Sequence, residues 1–108
     1  MSDPVITLAG KAYPVPMLAP KQNRIVVPTA ARLQGVKPTT ITTEQYDDFV
    51  EIAFLAAQRG TPDLNKVQFM DMPITTEELF LAFPVILQQT GIYKKAVAGE
   101  PSGEAPGA

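Results

Sequence analysis

The sequence contains no cysteine, no histidine and no tryptophan. Without cysteine there is no disulfide framework, no thiolate nucleophile and no cysteine-based zinc site. Without histidine, the commonest metal ligand and general base is missing. These absences exclude most classes of enzyme, and we expect neither a cofactor nor a bound metal.

Long apolar runs and phosphate-binding motifs are also missing. No run approaches the roughly 20 apolar residues that span a bilayer, and the opening "MSDPVITLAG" lacks a basic region before an apolar one. Gly10 and Gly35 are isolated, so no nucleotide-binding loop is present. With a pI near 5.0 and few aromatics among its basic residues, the chain is not expected to bind nucleic acid. We expect a soluble cytoplasmic protein that does not contact membranes.

The acidic pairs are poor candidates for catalysis. Asp47 and Glu51 are four residues apart, and Glu77 and Glu78 are adjacent, all near predicted helix starts. Acid–base chemistry needs one carboxyl with a raised pKa, whereas helix starts favour charged, solvated carboxylates. The sequence therefore predicts a protein that is not an enzyme and has no catalytic residue.

Size and composition indicate one small domain followed by a tail. With 108 residues, of which 45% are hydrophobic and 19% charged, the chain can bury one modest core, which we assign to residues 1–92. After Tyr93 the chain consists mainly of small, polar and charged residues. Residues 93–108 are therefore predicted to be a flexible, disordered C-terminal tail, which by composition alone is an end without a function.

The N-terminal part predicts a hairpin and then an uncertain segment. Residues 5–18 alternate in the manner of a β-hairpin, with Gly10 and Lys11 at the turn. Pro14 within the second strand indicates an edge position. Residues 21–35 are predicted to be irregular or a short helix, because Pro28 interrupts the helical pattern.

Three further segments carry helix signals. A long helix is predicted over 43–59, beginning after Thr42 and ending near Gly60. A short helix is predicted over 62–70, with Thr61 as its cap and Pro62 in its first position. The last helix, 76–90, begins with a capping box formed by Thr75 and Glu78 and is kinked at Pro84 or divided into two helices there. The predicted fold is α+β and mainly α, an N-terminal β-hairpin packed on a small bundle of three to four helices.

Charge and aromatic residues give the candidate binding residues. The first part of the chain is basic and residues 38–92 are mainly acidic, which indicates a head-to-tail contact between copies, a basic strip for an acidic partner, or two solvated faces. Five phenylalanines and several methionines either close the core or line a groove for a partner helix. The candidates are Lys21, Arg24, Arg32, Asp47, Asp48, Glu51, Phe80 and Phe83.

The order of these segments resembles a known family. The ribbon "ITLAGKAYPV", the segment "PKQNRIVVPTAARL", the helix "TTEQYDDFVEIAFLAA" and the closing "MPITTEELFLAFPVILQQTG" together resemble the tail assembly chaperones of long-tailed, siphovirus-like phages and prophages. The resemblance covers about residues 5–92. Its motifs are a Gly-Lys turn, a Tyr-Asp pair early in the long helix, an acidic cap before the last helix and a terminal Gln-Thr-Gly.

The resemblance implies a non-enzymatic role in virion assembly. Members of the family coat the tape-measure protein and keep it soluble in the host bacterial cytoplasm while tail-tube protein subunits assemble, and they are absent from the mature virion. Many have a longer, frameshifted form that recruits the tube protein. For this chain the resemblance makes Tyr93, Lys94 and Lys95 a tail connector. The alternative is a structural tail or neck subunit retained in the virion.

The opposed charges suggest how copies of such a chaperone would associate. We expect the basic strip of Lys21, Arg24 and Arg32 to meet the acidic face of the next copy's long helix, at Asp47, Asp48 or Glu51.

Overall fold

The computed structural model describes residues 3–91, which form a hairpin followed by four helices. The elements are β1 (Val5–Leu8), β2 (Lys11–Pro14), α1 (Pro20–Arg32), α2 (Thr43–Gly60), α3 (Lys66–Met70) and α4 (Thr76–Gln89). The predicted fold class, a mainly helical α+β fold with an N-terminal hairpin, is confirmed. The predicted tail, residues 93–108, lies outside the described residues.

The hairpin turns at Ala9 and Gly10, one residue earlier than the sequence predicts. The strands are antiparallel with Leu8 opposite Lys11, and Ala9 and Gly10 have φ angles of 55° and 77°. Two positive φ angles in a two-residue loop are the geometry that suits the twist of a hairpin. Such a φ is unfavourable for alanine, so the position of the turn depends on contacts outside the hairpin.

Those contacts come from Glu78, in the first turn of α4. The backbone N–H of Ala9 donates to Glu78 Oε1 at 2.9 Å, and that of Gly10 donates to Oε2 at 3.0 Å. Oε1 also accepts from the N–H of Thr75 at 2.9 Å, while Thr75 Oγ1 accepts from the Glu78 N–H at 3.1 Å. The predicted capping box is therefore present, and the same carboxylate also holds the hairpin turn.

The core lies between the inner face of the hairpin and the helices. α2 is the central element, because it packs against α1, α4 and β2, while α4 also packs against β1. Ile6, Leu8 and Tyr13 point inward from the hairpin. α2 and α4 supply most of the remaining core, including Phe49, Ile52, Ala53, Ala56, Leu79, Ala82 and Ile86.

Of the two alternatives predicted for residues 21–35, irregular or a short helix, the structure has the helix, because α1 is continuous over Pro20–Arg32. Pro20 occupies its start, where a missing N–H costs nothing, and Gln22 Oε1 accepts from the N–H of Ala19 at 2.9 Å. Val26 and Ala30 are buried, whereas Pro28 lies on the exposed side. Pro28 has no N–H to donate, so one carbonyl of the preceding turn lacks its helical hydrogen bond. This carbonyl lies on the solvent side, where water can bond to it.

The start of the third helix also differs from the prediction. α3 begins at Lys66, and its cap is Asn65, whose Oδ1 accepts from the N–H of Gln68 at 2.8 Å. Thr61 instead ends α2, since its N–H donates to the carbonyl of Ala57 at 2.9 Å, and residues 61–65 form no helix.

Proline does not divide the last helix. α4 runs without interruption from Thr76 to Gln89 with Pro84 inside it, so the alternative of two separate helices is wrong.

The end of α4 is fastened to the segment that follows the hairpin. The buried Gln89 donates from Nε2 to the carbonyl of Val15 at 2.8 Å, and its own carbonyl accepts from the N–H of Leu18 at 2.8 Å. One residue later, the carbonyl of Thr90 accepts from Asn23 Nδ2 at 3.0 Å. These bonds fix the last turn of α4 beside the start of α1.

Gly60 marks the closest approach between α2 and the hairpin. A Cβ atom added there would lie 2.1 Å from the carbonyl oxygen of Pro14 and 3.0 Å from Pro16 Cδ. The sequence predicts Gly60 as the end of the helix, and the structure gives a second reason for glycine: no side chain fits between the helix and β2.

Replacing Gly60 should therefore be more costly than an ordinary glycine substitution. We expect Gly60→Ala to lower the free energy of unfolding by about 3 kcal/mol, because backbone atoms must move apart. Gly35→Ala is the matched control: its φ is 80° but no atom lies within 4 Å of an added Cβ, so only about 1 kcal/mol should be lost. Urea unfolding measures both, and equal losses would contradict the close approach.

The hydrogen bonds to Glu78 predict a pH effect. Donation from the backbone N–H groups of Thr75, Gly10 and Ala9, in that order of importance, lowers the pKa of Glu78 below its ordinary 4.5. The contribution of this carboxylate to stability is thus fully present above about pH 5 and is lost as the pH falls through the lowered pKa. Glu78→Gln should cost roughly 1 kcal/mol at pH 7 and make the loss of stability below pH 5 less steep.

Glu77→Gln is the control for Glu78→Gln. It removes the same charge from the same helix turn but none of the three hydrogen bonds. Unfolding curves measured between pH 3 and pH 7 compare the two variants. If both have the same stability and the same pH dependence, Glu78 does not hold the hairpin.

Candidate interaction surfaces

Two hollows lined by charged side chains lie at opposite ends of the α1–α2 pair. Lys21 and Arg59 line one hollow, together with Gln58. Glu44 and Asp47 line another, together with Arg32 and Asp48. About 15 residues of α2 separate Glu44 from Arg59, which at 1.5 Å per residue places the two hollows roughly 20 Å apart. We call them the basic end and the acidic end.

Two of the candidate ions are paired within the chain. Arg32 Nη2 lies 3.5 Å from Asp48 Oδ2, and Lys66 Nζ lies 2.5 Å from Glu51 Oε1. The structure thus places Arg32 with the acids of its own chain and gives Glu51 a lysine partner from α3. Both pairs are exposed to solvent, so each contributes little to stability.

Lys21, Arg24 and Asp47 remain available to a partner. All three are exposed, and none has an ion pair with another residue of the described range 3–91. Arg59 is also exposed, although its Nε donates to the carbonyl of Met17 at 3.0 Å. The charges that the sequence assigns to one basic strip are therefore divided: Lys21 lies at the basic end, Arg24 one turn along α1, and Arg32 at the acidic end.

The two aromatic candidates belong mainly to the core. The ring centroids of Phe80 and Phe83 lie 4.6 Å and 5.3 Å from that of Phe49, and both rings are half-buried. Edge and tilted contacts of this kind are favourable between aromatic rings. The structure places Phe80 and Phe83 in an aromatic cluster at the α2–α4 contact.

Apolar side chains that the sequence did not single out are more exposed. Leu81 of α4 is 67% exposed and Val5 of β1 is 51% exposed. The alternation in β1 places Val5 on the face opposite to Ile6, which is the one signal that could have identified it. The other large exposed apolar residues in the described range are Met17, Ile25, Val67 and Met70.

The described residues hold no group suited to metal binding. No cluster of three or more histidine, cysteine, aspartate or glutamate side chains occurs among residues 3–91. Glu78 is the carboxyl with the most hydrogen bonds, and they lower its pKa, whereas a general acid needs a raised pKa.

Among these same residues, no helix combines the length and apolar character needed to cross a bilayer.

The predicted connector residues Tyr93, Lys94 and Lys95 lie outside the described residues. Comparisons of the chain with protein-family models, curated proteins and solved structures gave no match.

Proposed function

We propose that this chain is a tail assembly chaperone of a long-tailed phage or prophage, which binds the tape-measure protein and helps to recruit the tail-tube protein. In this role it is not an enzyme, needs no cofactor, acts in the host bacterial cytoplasm and is absent from the finished virion. The proposal rests on the resemblance of the sequence pattern to that family. The observation in the structure that supports it is the separation of charge between the two ends of the α1–α2 pair.

A chaperone that coats a long client needs many copies arranged in series. A head-to-tail contact joins two different surfaces of the same protein and generates an open, repeating array. The basic end carries Lys21 and Arg59, and the acidic end carries Glu44 and Asp47, so one copy offers to the next a surface of opposite charge. Exposed apolar side chains such as Ile25 and Val67 would provide weak contacts with the client.

Charge reversal tests the head-to-tail contact. The double variant Lys21→Glu/Arg24→Glu places two negative charges at and next to the basic end, which keeps only Arg59 as a cation. Glu44→Lys/Asp47→Lys makes the acidic end basic. We expect each variant alone to lose the self-association of the native chain and an equimolar mixture to regain it, because opposite ends can alternate again. Sedimentation velocity at low salt and at about 0.5 M salt measures this, with association weaker at high salt.

The control is Lys11→Glu/Lys37→Glu, which changes net charge equally but lies outside the basic end. This variant should associate like the native chain. Loss of association in the control, or a mixture of the two test variants that stays monomeric, would rule out the proposed contact.

Co-expression tests the proposed client. The native gene expressed with its neighbouring genes, carrying an affinity tag on this chain, should co-purify a long, helix-rich tape-measure protein and a longer product that shares this N-terminus. Mass spectrometry identifies both. The charge-reversed variants should recover less tape-measure protein, because fewer copies line up along it.

The second candidate function is a structural tail or neck subunit. The hairpin lies at the surface with an exposed β1 edge, and such edges add strands to a neighbouring sheet. If the chain is found in purified particles in stoichiometric amount and recovers no tape-measure protein, this role replaces the chaperone.

A further inference from the structure

The two outer edges of the hairpin differ in how far they are protected. β2 contains Lys11 and Pro14, two residue types that discourage further strand pairing, and Gly60 of α2 packs directly against the carbonyl of Pro14. β1 reads Val-Ile-Thr-Leu and carries neither a charge nor a proline. Within the described part of the chain, the edge of β1 is therefore the less protected of the two.

The register shows which backbone groups lie on that open edge. In an antiparallel hairpin with a two-residue loop, the two residues beside the loop form a hydrogen-bonded pair. Hydrogen-bonded and non-hydrogen-bonded pairs then alternate along the strands. Leu8 and Ile6 are thus bonded to β2, in agreement with the bond of 2.8 Å from the Val15 N–H to the Pro4 carbonyl. The N–H and C=O groups of Val5 and Thr7 point away from β2.

No other described element takes these groups. None of the hydrogen bonds among residues 3–91 outside the hairpin ladder involves the backbone of Val5 or Thr7. Beside them lies an open groove of about 360 Å³ between β1 and α4. Three residues from each element line it: Val5, Ile6, Thr7, Glu78, Leu81 and Ala82.

We propose that this edge pairs with β1 of a second copy, antiparallel and about a two-fold axis at Ile6. The unpaired groups belong to residues placed symmetrically around Ile6, so each Val5 would face Thr7 of the other copy and all of these N–H and C=O groups would be bonded. Both are β-branched, which suits cross-strand pairs, and no like charges meet because β1 has none. The added strand would also cover Val5 and Leu81.

This contact is separate from the head-to-tail contact of the α1–α2 pair and does not depend on the chaperone proposal. It joins identical surfaces and closes after two copies, and it would produce a four-stranded sheet in the order β2, β1, β1, β2. Because each strand has only four residues, we expect weak association that a covalent trap reveals.

The native chain lacks cysteine, so introduced thiols can report the register directly. We expect a mixture of a Val5→Cys variant and a Thr7→Cys variant to form a disulfide-linked heterodimer under mild oxidation, since facing residues in such a pair have Cα atoms about 5.5 Å apart. Each variant alone should stay monomeric on a non-reducing gel. Cross-linking of either variant alone, or none in the mixture, would overturn the proposed pairing.

A pair of proline variants checks the same contact without oxidation, by sedimentation velocity at a protein concentration high enough to populate a weak dimer. Thr7→Pro removes an outward N–H from β1, and Ala12→Pro removes the equivalent N–H from β2, because these two residues face each other in the register. With thermal melting to confirm that both are folded, Thr7→Pro should abolish two-fold association and Ala12→Pro should retain it. The β1 proposal fails if Thr7→Pro associates like the native chain while the charge-reversed variants are monomeric. Copies would then associate only head to tail.

Discussion

The carboxylate of Glu78 is the interaction on which the arrangement of this fold depends. A two-stranded hairpin is marginal in water, and this one turns through an alanine with a positive φ. Hydrogen bonds from Ala9 and Gly10 to Glu78 offset that strain and hold the turn at the N-terminus of α4. Ile6 and Leu8 consequently face the core, and the open edge of β1 comes to lie beside Leu81. One side chain therefore contributes both to the cap of α4 and to the position of the hairpin turn.

The distribution of charge follows from packing rather than from order along the chain. The basic first part and the acidic later part of the sequence do not form two opposite faces, because α1 and α2 pack side by side and Arg32 pairs with Asp48. Lys21 instead comes next to Arg59, which lies in the acidic part of the sequence. The folded chain therefore has a basic end and an acidic end, whereas the sequence alone indicates a basic first part and an acidic later part.

Sequence signals within one helical turn correctly predicted where two of the helices begin. The long helix and the last helix begin where capping boxes place them, since Thr42 with Gln45 and Thr75 with Glu78 act within one turn. Predictions failed where distant residues decide. Pro28 is tolerated because burial of the opposite face of α1 outweighs one lost hydrogen bond, and the hairpin turn is shifted by a residue 69 positions away. The open edge of β1 could not be predicted from the sequence either, because it depends on which strand α2 packs against.

The hydrogen bonds of Gln89 to Val15 and Leu18 fix the position of the end of α4. Gly91 lies against Met17, whose carbonyl also binds Arg59, and Thr90 is tied to Asn23 at the start of α1. Gly91, the last described residue, therefore lies near the basic end. If copies associate head to tail as proposed, that contact would form beside the last described residue.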